Sequence, residues 1–230
     1  METYLISLVS AMELQRDPVK AAPMSAYMRN QFPYLGIKSP QMAEINRQFY
    51  RESGLPPIKQ LPVLLAQLWA MPEREYQYFG VGLLCRMVTK LLGDFIDPIE
   101  KMLVEKSWWD TVDSIATEAV GRHFRRYPSL CTEVLPRWRS SKNIWLRRTA
   151  ILHQLDYKKA TDFELLTQII SENLGSKEFF INKAIGWALR EYSKTDADAV
   201  RSFVAKTDLS NLSRKEALKW LERKQARGEN

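Results

Sequence analysis

Cysteine and histidine are scarce in this sequence, which has only two of each among its 230 residues. Cys85 and Cys131 form no Cys-x-x-Cys motif, so we expect buried free thiols and neither a disulfide framework nor a zinc site. His123 and His153 are too few for a histidine-rich metal centre, and we expect structural roles for both. No metal and no other cofactor is therefore expected.

Long apolar runs and strand patterns are also missing. No window approaches the roughly 20 continuous apolar residues that a membrane span needs. The N-terminal segment METYLISLVSAMELQRD has no basic leading part, so it does not resemble a signal peptide. Alternating β-branched runs bounded by Asn-Gly or Asp-Gly turns do not occur. These absences predict a soluble, cytoplasmic protein without a β-sheet.

Positive charge is in excess. The chain has 34 Lys and Arg against 27 Asp and Glu, which gives a net charge of +7 and a pI near 9.4. A basic surface attracts anionic partners over long distances. Nucleic acid is the first partner to consider, ahead of membrane surfaces and acidic proteins.

Apolar residues recur at three- and four-residue spacings throughout the chain, which predicts α-helices. Helices are expected over 72–92, 98–106, 108–127 and 214–224, among others. Prolines at positions 18, 40, 62, 72, 98 and 128 stand near predicted helix starts, where a missing amide hydrogen costs little. We therefore expect an all-α fold.

An internal repeat organises these helices. The segment SKNIWLRRTAIL from Ser141 parallels SKEFFINKAIGWAL from Ser176, a step of 35 residues. The same step makes Asp113, Arg148 and Lys183 equivalent positions. A period near 35 with two helices per unit is typical of HEAT-like solenoids, whose stacked second helices line a concave groove. We expect one such domain over residues 1–230, with an irregular helical bundle as the alternative.

Two tryptophans accompany these equivalent positions. Trp109 precedes Asp113 by four residues and Trp187 follows Lys183 by four, so each pair shares one helix face. A carboxylate stabilises a developing cation, and indole faces attract cations. The alternatives are that the two indoles pack in a core, as we expect for Trp108, Trp138 and Trp145, and that Asp113 is solvated or pairs with Arg148 across repeats.

Long segments of the chain resemble a known family. They include PMSAYMRNQFPYLGIKSP, LWAMPEREYQ, VEKSWWDTVDSI, SSKNIWLRRTAIL and GSKEFFINKAIGWALREYSKT, and together they run over nearly the whole sequence. In this order they are similar to the AlkD-like DNA alkylation repair glycosylases. The resemblance implies a monofunctional enzyme that hydrolyses the N-glycosidic bond of cationic N3- and N7-alkylated purines, such as 7-methylguanine and 3-methyladenine, in duplex DNA without flipping the base.

The resemblance also implies roles for individual residues. Asp113 would stabilise the oxocarbenium ion and position water, and Trp109 and Trp187 would contact the deoxyribose. The residues expected to bind DNA are Arg148, which would hold a backbone phosphate, together with Tyr27, Lys38, Ser39, Pro40, Lys183 and Arg190.

The sequence departs from the family pattern at three places. Lys38 and Ser39 stand where glutamine and threonine are expected, so a hydroxyl is kept and a cation gained. Asp156 stands where a basic residue is expected, which would weaken DNA binding if it faces phosphate. None of these changes falls on the expected catalytic residues.

The expected partner is duplex DNA with alkylated purines, bound by a monomer in the bacterial cytoplasm with no obligate protein partner and no membrane. Two other functions stay open. One is a non-catalytic DNA-binding repeat protein that recognises distorted or branched DNA, and the other is a helical scaffold for an acidic protein.

Overall fold

A computed structural model describes residues 2–228, which form helices and, within that range, no β-strand. The all-α, helical-repeat fold predicted from the sequence is confirmed. The chain folds into two compact units, Met1–Leu91 and Leu92–Asn230. The expectation of one HEAT-like domain over residues 1–230 stays a prediction.

Among the described residues of the first unit, five segments are α-helices. Asp17 begins the second of them, because its carboxylate accepts the backbone N–H groups of Val19 and Lys20. Leucines from several helices form a core that water does not reach. The helices are α1 (Thr3–Glu13), α2 (Pro18–Tyr27), α3 (Ser39–Ser53), α4 (Leu61–Ala70) and α5 (Arg74–Met87).

A buried carboxylate fixes the segment before α3. Glu75 on α5 has no solvent exposure and accepts the backbone N–H groups of Leu35, Gly36 and Ile37 at 2.9–3.1 Å. Gly36 has a φ of +95°, and a Cβ there would collide with the carbonyl of Asp17. The path of the chain into α3 is therefore set by one side chain and one glycine.

The second unit contains helix pairs. A π-helical segment, Ile115–Val120, continues α7 into α8, so these three segments form one long helix. The α-helices are α6 (Ile96–Val104), α7 (Trp109–Ser114), α8 (Gly121–Arg126), α9 (Pro128–Arg139), α10 (Ile144–Leu152), α11 (Phe163–Glu172), α12 (Phe179–Tyr192), α13 (Ala197–Lys206) and α14 (Asn211–Ala226).

The predicted repeat period agrees with three helix starts of the second unit. Helices α7, α10 and α12 begin at Trp109, Ile144 and Phe179, which are successive steps of 35 residues. Neighbours in the order α7, α10, α12 and α14 pack on one another, and α9, α11 and α13 pack against this stack. Equivalent positions of successive units therefore lie on adjacent helices.

A glycine sets the closest approach within the stack. A Cβ on Gly186 of α12 would lie 2.5 Å from the Cβ of Glu216 and 2.8 Å from the carbonyl oxygen of Ser213, both on α14. Only a residue without a side chain lets the two helices meet at this distance.

Two of the predicted helices have bounds that are wrong by two to five residues. The helix expected over 72–92 begins at Arg74 and ends at Met87, where a 3-10 turn over Val88–Lys90 follows. The helix expected over 214–224 begins at Asn211, because the hydroxyl of Ser210 accepts the N–H of Ser213 and caps the helix earlier.

The two cysteines and the two histidines lie at half-buried or buried positions. Cys85 and Cys131 are half-buried, whereas the sequence predicted buried thiols. His123 and His153 are buried, and each has a ring nitrogen within hydrogen-bond distance of a backbone carbonyl. Burial lowers the pKa of His153 to about 4, so it is neutral at physiological pH.

Candidate functional site

An ion pair joins two equivalent positions of adjacent repeats. Nε of Arg148 donates to one carboxylate oxygen of Asp113 at 2.7 Å, and Nη2 donates to the other at 2.8 Å. Nη1 of the same guanidinium donates to the backbone carbonyl of Phe180 at 2.5 Å. Arg148 on α10 thus links α7 on one side of it to α12 on the other.

Both partners are largely removed from solvent. The side chain of Arg148 is 4% exposed and that of Asp113 is 15% exposed. The pairing of Asp113 with Arg148 across repeats, one of the alternatives for this carboxylate, is confirmed. All three guanidinium nitrogens of Arg148 donate to protein oxygens, so the expected contact with a DNA phosphate would need some of these bonds to be shared or exchanged. That contact stays a prediction.

The pKa of Asp113 is raised above its usual value. Burial, the largest cause, disfavours the ionised carboxylate, and the negative charge of Asp110 adds to this. The hydrogen bonds and positive charge of Arg148 oppose the shift. The site therefore holds a poorly solvated carboxylate whose charge depends on one arginine.

Three aromatic rings cover the start of the same helices. The ring centroid of Trp108 lies 5.7 Å from that of Trp145 and 5.0 Å from that of Phe180, and the last two are 5.0 Å apart. Trp145 and Trp138 are buried, as predicted, and Trp108 is half-buried. The cluster shields the guanidinium of Arg148, whose Cζ is 5.9 Å from the centroid of Phe180.

The two tryptophans expected at the site are only half-buried. Trp109 is the first residue of α7, one turn before Asp113, and Trp187 lies on α12, one turn after Lys183. Neither belongs to the fully buried core. Both indoles therefore keep surface that another molecule could contact.

Lys183 and Arg190, expected to bind DNA, meet a carboxylate that sequence reasoning missed. Glu216 on α14 is nearly buried and pairs with Lys183 at 2.9 Å, with Arg190, and with Lys219 at 3.5 Å. Burial alone would raise the pKa of Glu216, but Lys183 and the other two cations lower it overall. Its isolation among the basic residues of SRKEALK was the available signal.

The π-helical segment follows Asp113 directly. Its wider turn begins at Ile115, and the hydroxyl of Thr117 donates to the backbone carbonyl of Asp113 at 2.9 Å. Segments of this kind occur frequently at functional sites in helical proteins. Nothing in the sequence pattern predicted it.

The other predicted DNA-binding residues belong to the first unit. Tyr27, the last residue of α2, is 73% exposed. Lys38, Ser39 and Pro40 are exposed and form the start of α3, whose first backbone N–H groups lack partners within the helix. Glu75 fixes this segment from inside and was not predicted from the sequence. Its partners are backbone amides, which nearly every residue type has, so no sequence pattern indicates them.

Metal and membrane features do not appear in the described part of the chain. Within 2–228, no three His, Cys, Asp or Glu side chains are grouped so that they could hold a metal ion. None of the helices in that range is sufficiently long and apolar to cross a bilayer.

Comparisons with known proteins agree with this arrangement. Residues 8–221 match the sequence profile of a family described as DNA alkylation repair enzyme. A solved structure, described as "Predicted DNA alkylation repair enzyme from Enterococcus faecalis", is similar with a TM-score of 0.84 and 33% sequence identity. The similarity covers 90% of this chain and 97% of that one. No curated protein matches the sequence. The match over most of the chain shows that it belongs to the AlkD-like family of DNA alkylation repair enzymes.

Proposed function

We propose that the protein is a monofunctional DNA glycosylase that excises cationic N3- and N7-alkylated purines from duplex DNA. The observation that carries the proposal is the largely buried carboxylate of Asp113, which pairs with Arg148. The indole of Trp109 lies one helical turn before it. Membership of a DNA alkylation repair family supplies the kind of substrate.

In the proposed reaction the alkylated purine is already a good leaving group. Alkylation at N3 or N7 places a positive charge on the purine, so the bond from C1′ to the base breaks with its electron pair going to the base, which leaves neutral. The sugar becomes an oxocarbenium ion. Water adds at C1′ and releases a proton to solvent, which leaves an abasic site. Asp113 stabilises the cationic sugar and orients the water.

The surrounding side chains fit a cationic sugar. The indole faces of Trp109 and Trp187 contact the deoxyribose and attract its charge, each contact contributing about 0.5 to 2 kcal/mol. In the proposal the base stays in the stack and the enzyme contacts the sugar and backbone, so no base-binding pocket is required. Tyr27, Lys38, Ser39 and Pro40 contact the backbone from the first unit.

The burial of Asp113 supports a catalytic use of its charge. A carboxylate that is poorly solvated interacts more strongly with a nearby cation than one in bulk water. The bidentate contact with Arg148 fixes the direction of both oxygens, so the carboxylate needs no rearrangement as charge develops on the sugar.

Base release from methylated duplex DNA tests the proposal. We expect wild-type protein to release 7-methylguanine, and Asp113→Asn to slow release by about a hundredfold or more while DNA affinity is kept. Asp110→Asn, which removes the same charge from the same helix, is the matched control and should retain the activity. Equal release by wild type and Asp113→Asn would disprove the role of this carboxylate.

The same assay decides the alternative function. Wild-type protein that saturates the DNA without releasing a base would be a non-catalytic DNA-binding protein. The family match and the poorly solvated Asp113 carboxylate favour the enzyme.

A further inference from the structure

A basic pocket lies between the C-terminal halves of α12 and α14. The two helices run parallel, because Glu216 near the start of α14 pairs with Lys183 near the start of α12, and later residues of both helices meet further along. The pocket has a volume of about 370 Å³ and is lined by Arg190, Lys194, Lys219, Trp220 and Arg223.

Two cations of this pocket repel each other along α14. Lys219 and Arg223 are four residues apart on that helix, whereas Arg190 lies on α12 and Lys194 lies in the turn after Tyr192, where α12 ends. Like charges at this spacing lie side by side and destabilise a helix. Cations near a helix C-terminus are favoured by its dipole, but Lys219 lies about two turns before the end of α14, beyond the reach of that effect.

Carboxylates neutralise the pocket only in part. Glu216 pairs with two residues of the lining, Arg190 and Lys219, and it is also shared by Lys183. Lys194 has a solvent-exposed ion pair with Glu191 at 2.6 Å, and such pairs are weak.

Arg223 completes the excess of positive charge. It is exposed, and within residues 2–228 it forms no ion pair. Its neighbour Glu222 lines a different surface depression together with Arg201 and Arg214. The pocket therefore presents positive charge that no carboxylate of its lining balances.

An aromatic ring accompanies these charges. Trp220 lines the pocket, is half-buried, and has the ammonium nitrogen of Lys224 at 5.7 Å from its ring centroid. The indole N–H of a partly exposed tryptophan is a hydrogen-bond donor, and a phosphate oxygen can accept it.

The pocket is continuous with the candidate site along α12. Lys183, Trp187 and Arg190 follow one another at three- and four-residue spacings, so they occupy one face of α12, and Lys194 lies in the turn after its end. From Trp187 to the end of α12 at Tyr192 the helix rises by about 7.5 Å, and Lys194 lies two residues further along the chain. Phosphates of one DNA strand follow each other at about 3.4 Å along the duplex axis. We propose that the pocket of Arg190, Lys194, Lys219, Trp220 and Arg223 binds backbone phosphate of DNA a few nucleotides from the nucleotide that Trp187 contacts.

This inference rests on the proposed function, because it takes Trp187 as a contact to the damaged nucleotide. It goes further in adding Lys194, Lys219, Trp220 and Arg223 to the residues that bind DNA. It also assigns one backbone position to one pocket.

Salt dependence of DNA binding is the first test. The variant is Arg223→Gln, since this exposed side chain has no ion pair among the described residues and its loss should not disturb folding. Binding to a duplex with a tetrahydrofuran abasic analogue is measured over a range of salt concentrations. We expect weaker binding and a slope of log K against log salt smaller by about one unit. The matched control, Lys206→Gln on α13, should keep the wild-type slope. An unchanged slope for Arg223→Gln would overturn the proposal.

A scan of neutral backbone positions locates the contact. Each phosphate near the lesion is replaced in turn by an uncharged methylphosphonate. At the position that occupies the pocket, neutralising the phosphate should weaken binding by the wild type. The same neutralisation should weaken binding by Arg223→Gln only slightly. If neutralisation and Arg223→Gln weaken binding additively at every position, no phosphate occupies the pocket and the proposal is wrong.

These measurements separate the two proposals. They use an unreactive duplex and read affinity, whereas the glycosylase proposal is read by base release. If no base is released but Arg223→Gln reduces the slope of log K against log salt, the glycosylase proposal is contradicted and the phosphate pocket is supported. Normal base release with an unchanged slope would contradict only the pocket.

Discussion

Arg148 donates to both carboxylate oxygens of Asp113, which lies 35 residues earlier in the chain and one helix away in the repeat stack. The same guanidinium also donates to the carbonyl of Phe180 in the next helix. The charge proposed for catalysis is thus held by a residue that also joins three successive helices.

Removing Arg148 should destabilise the protein and raise the pKa of Asp113 further. Arg148→Met leaves a poorly solvated carboxylate without its cation, at a cost of about 3–5 kcal/mol. A carboxyl whose folded-state pKa is raised costs stability above that pKa, and the cost disappears as pH falls towards the unfolded value. Urea unfolding should therefore show a larger deficit at about pH 8 than at about pH 5.

Arg148→Lys is the matched variant. It keeps the positive charge but cannot donate to both oxygens of Asp113 in a fixed plane. Its deficit should lie between those of the wild type and Arg148→Met. A deficit of Arg148→Met that is independent of pH would contradict the electrostatic link between the two side chains.

The pH dependence of base release should report Asp113. The proposed mechanism needs the ionised carboxylate, and burial raises its pKa above the value of about 3.9 for a free aspartate. Single-turnover release should fall on the acid side with a midpoint above that value. In Arg148→Lys the midpoint should move to higher pH if the poorer pairing raises the pKa. A midpoint at or below the free value would show that another group controls the rate.

Glu75→Gln should weaken both the first unit and its expected DNA contact. The buried carboxylate accepts three backbone N–H groups from residues 35–37, and a neutral amide cannot satisfy all of them. We expect a loss of about 1–3 kcal/mol in unfolding free energy. Binding of DNA should fall as the start of α3 loses its fixed position.

The control for this variant is Glu44→Gln on α3. Glu44 is exposed and pairs with Arg47 on the same helix, so the change should be nearly neutral. If both variants had the same stability and affinity, the three hydrogen bonds of Glu75 would be of little importance for this segment.

Gly186→Ala should separate α12 from α14. The added methyl group would lie 2.5 Å from the Cβ of Glu216, and overpacking of this kind costs about 1–3 kcal/mol. Gly82→Ala on α5 is the matched control, since a Cβ there meets nothing within 4 Å. Alanine favours a helix by about 0.8–1 kcal/mol over glycine, so Gly82→Ala should raise the melting temperature while Gly186→Ala lowers it. Equal shifts in one direction would contradict the close approach.

Much of the second unit could be predicted because its pattern repeats. The step of 35 residues placed Asp113, Arg148 and Lys183 on equivalent positions, and the three helix starts follow the same step. Other helix starts were predicted less accurately. The cap by Ser210 moved the start of α14 to Asn211, three residues before the expected position.

Spacing offered the pairing of Asp113 with Arg148 only as one alternative for this carboxylate. Whether Arg148 turns towards Asp113 or towards solvent depends on side-chain rotamers and on the aromatic cover formed by Trp108, Trp145 and Phe180. The repeat did not point to Glu216, because the 35-residue step from Lys183 leads to Leu218. The family resemblance, rather than periodicity, supplied the substrate and the DNA-binding role of Tyr27 and of residues 38–40.

The equal spacing of the repeats has an evolutionary consequence. Loss of one whole unit, such as residues 128–162, would leave the helix boundaries in register and bring the equivalent Lys183 opposite Asp113. A planar guanidinium that donates to both carboxylate oxygens would be replaced by a single flexible ammonium group. Gain or loss of a whole repeat unit could thus alter the partner of the carboxylate in one genetic event. Insertion or deletion of a few residues within a unit would instead shift the register on which the ion pair depends.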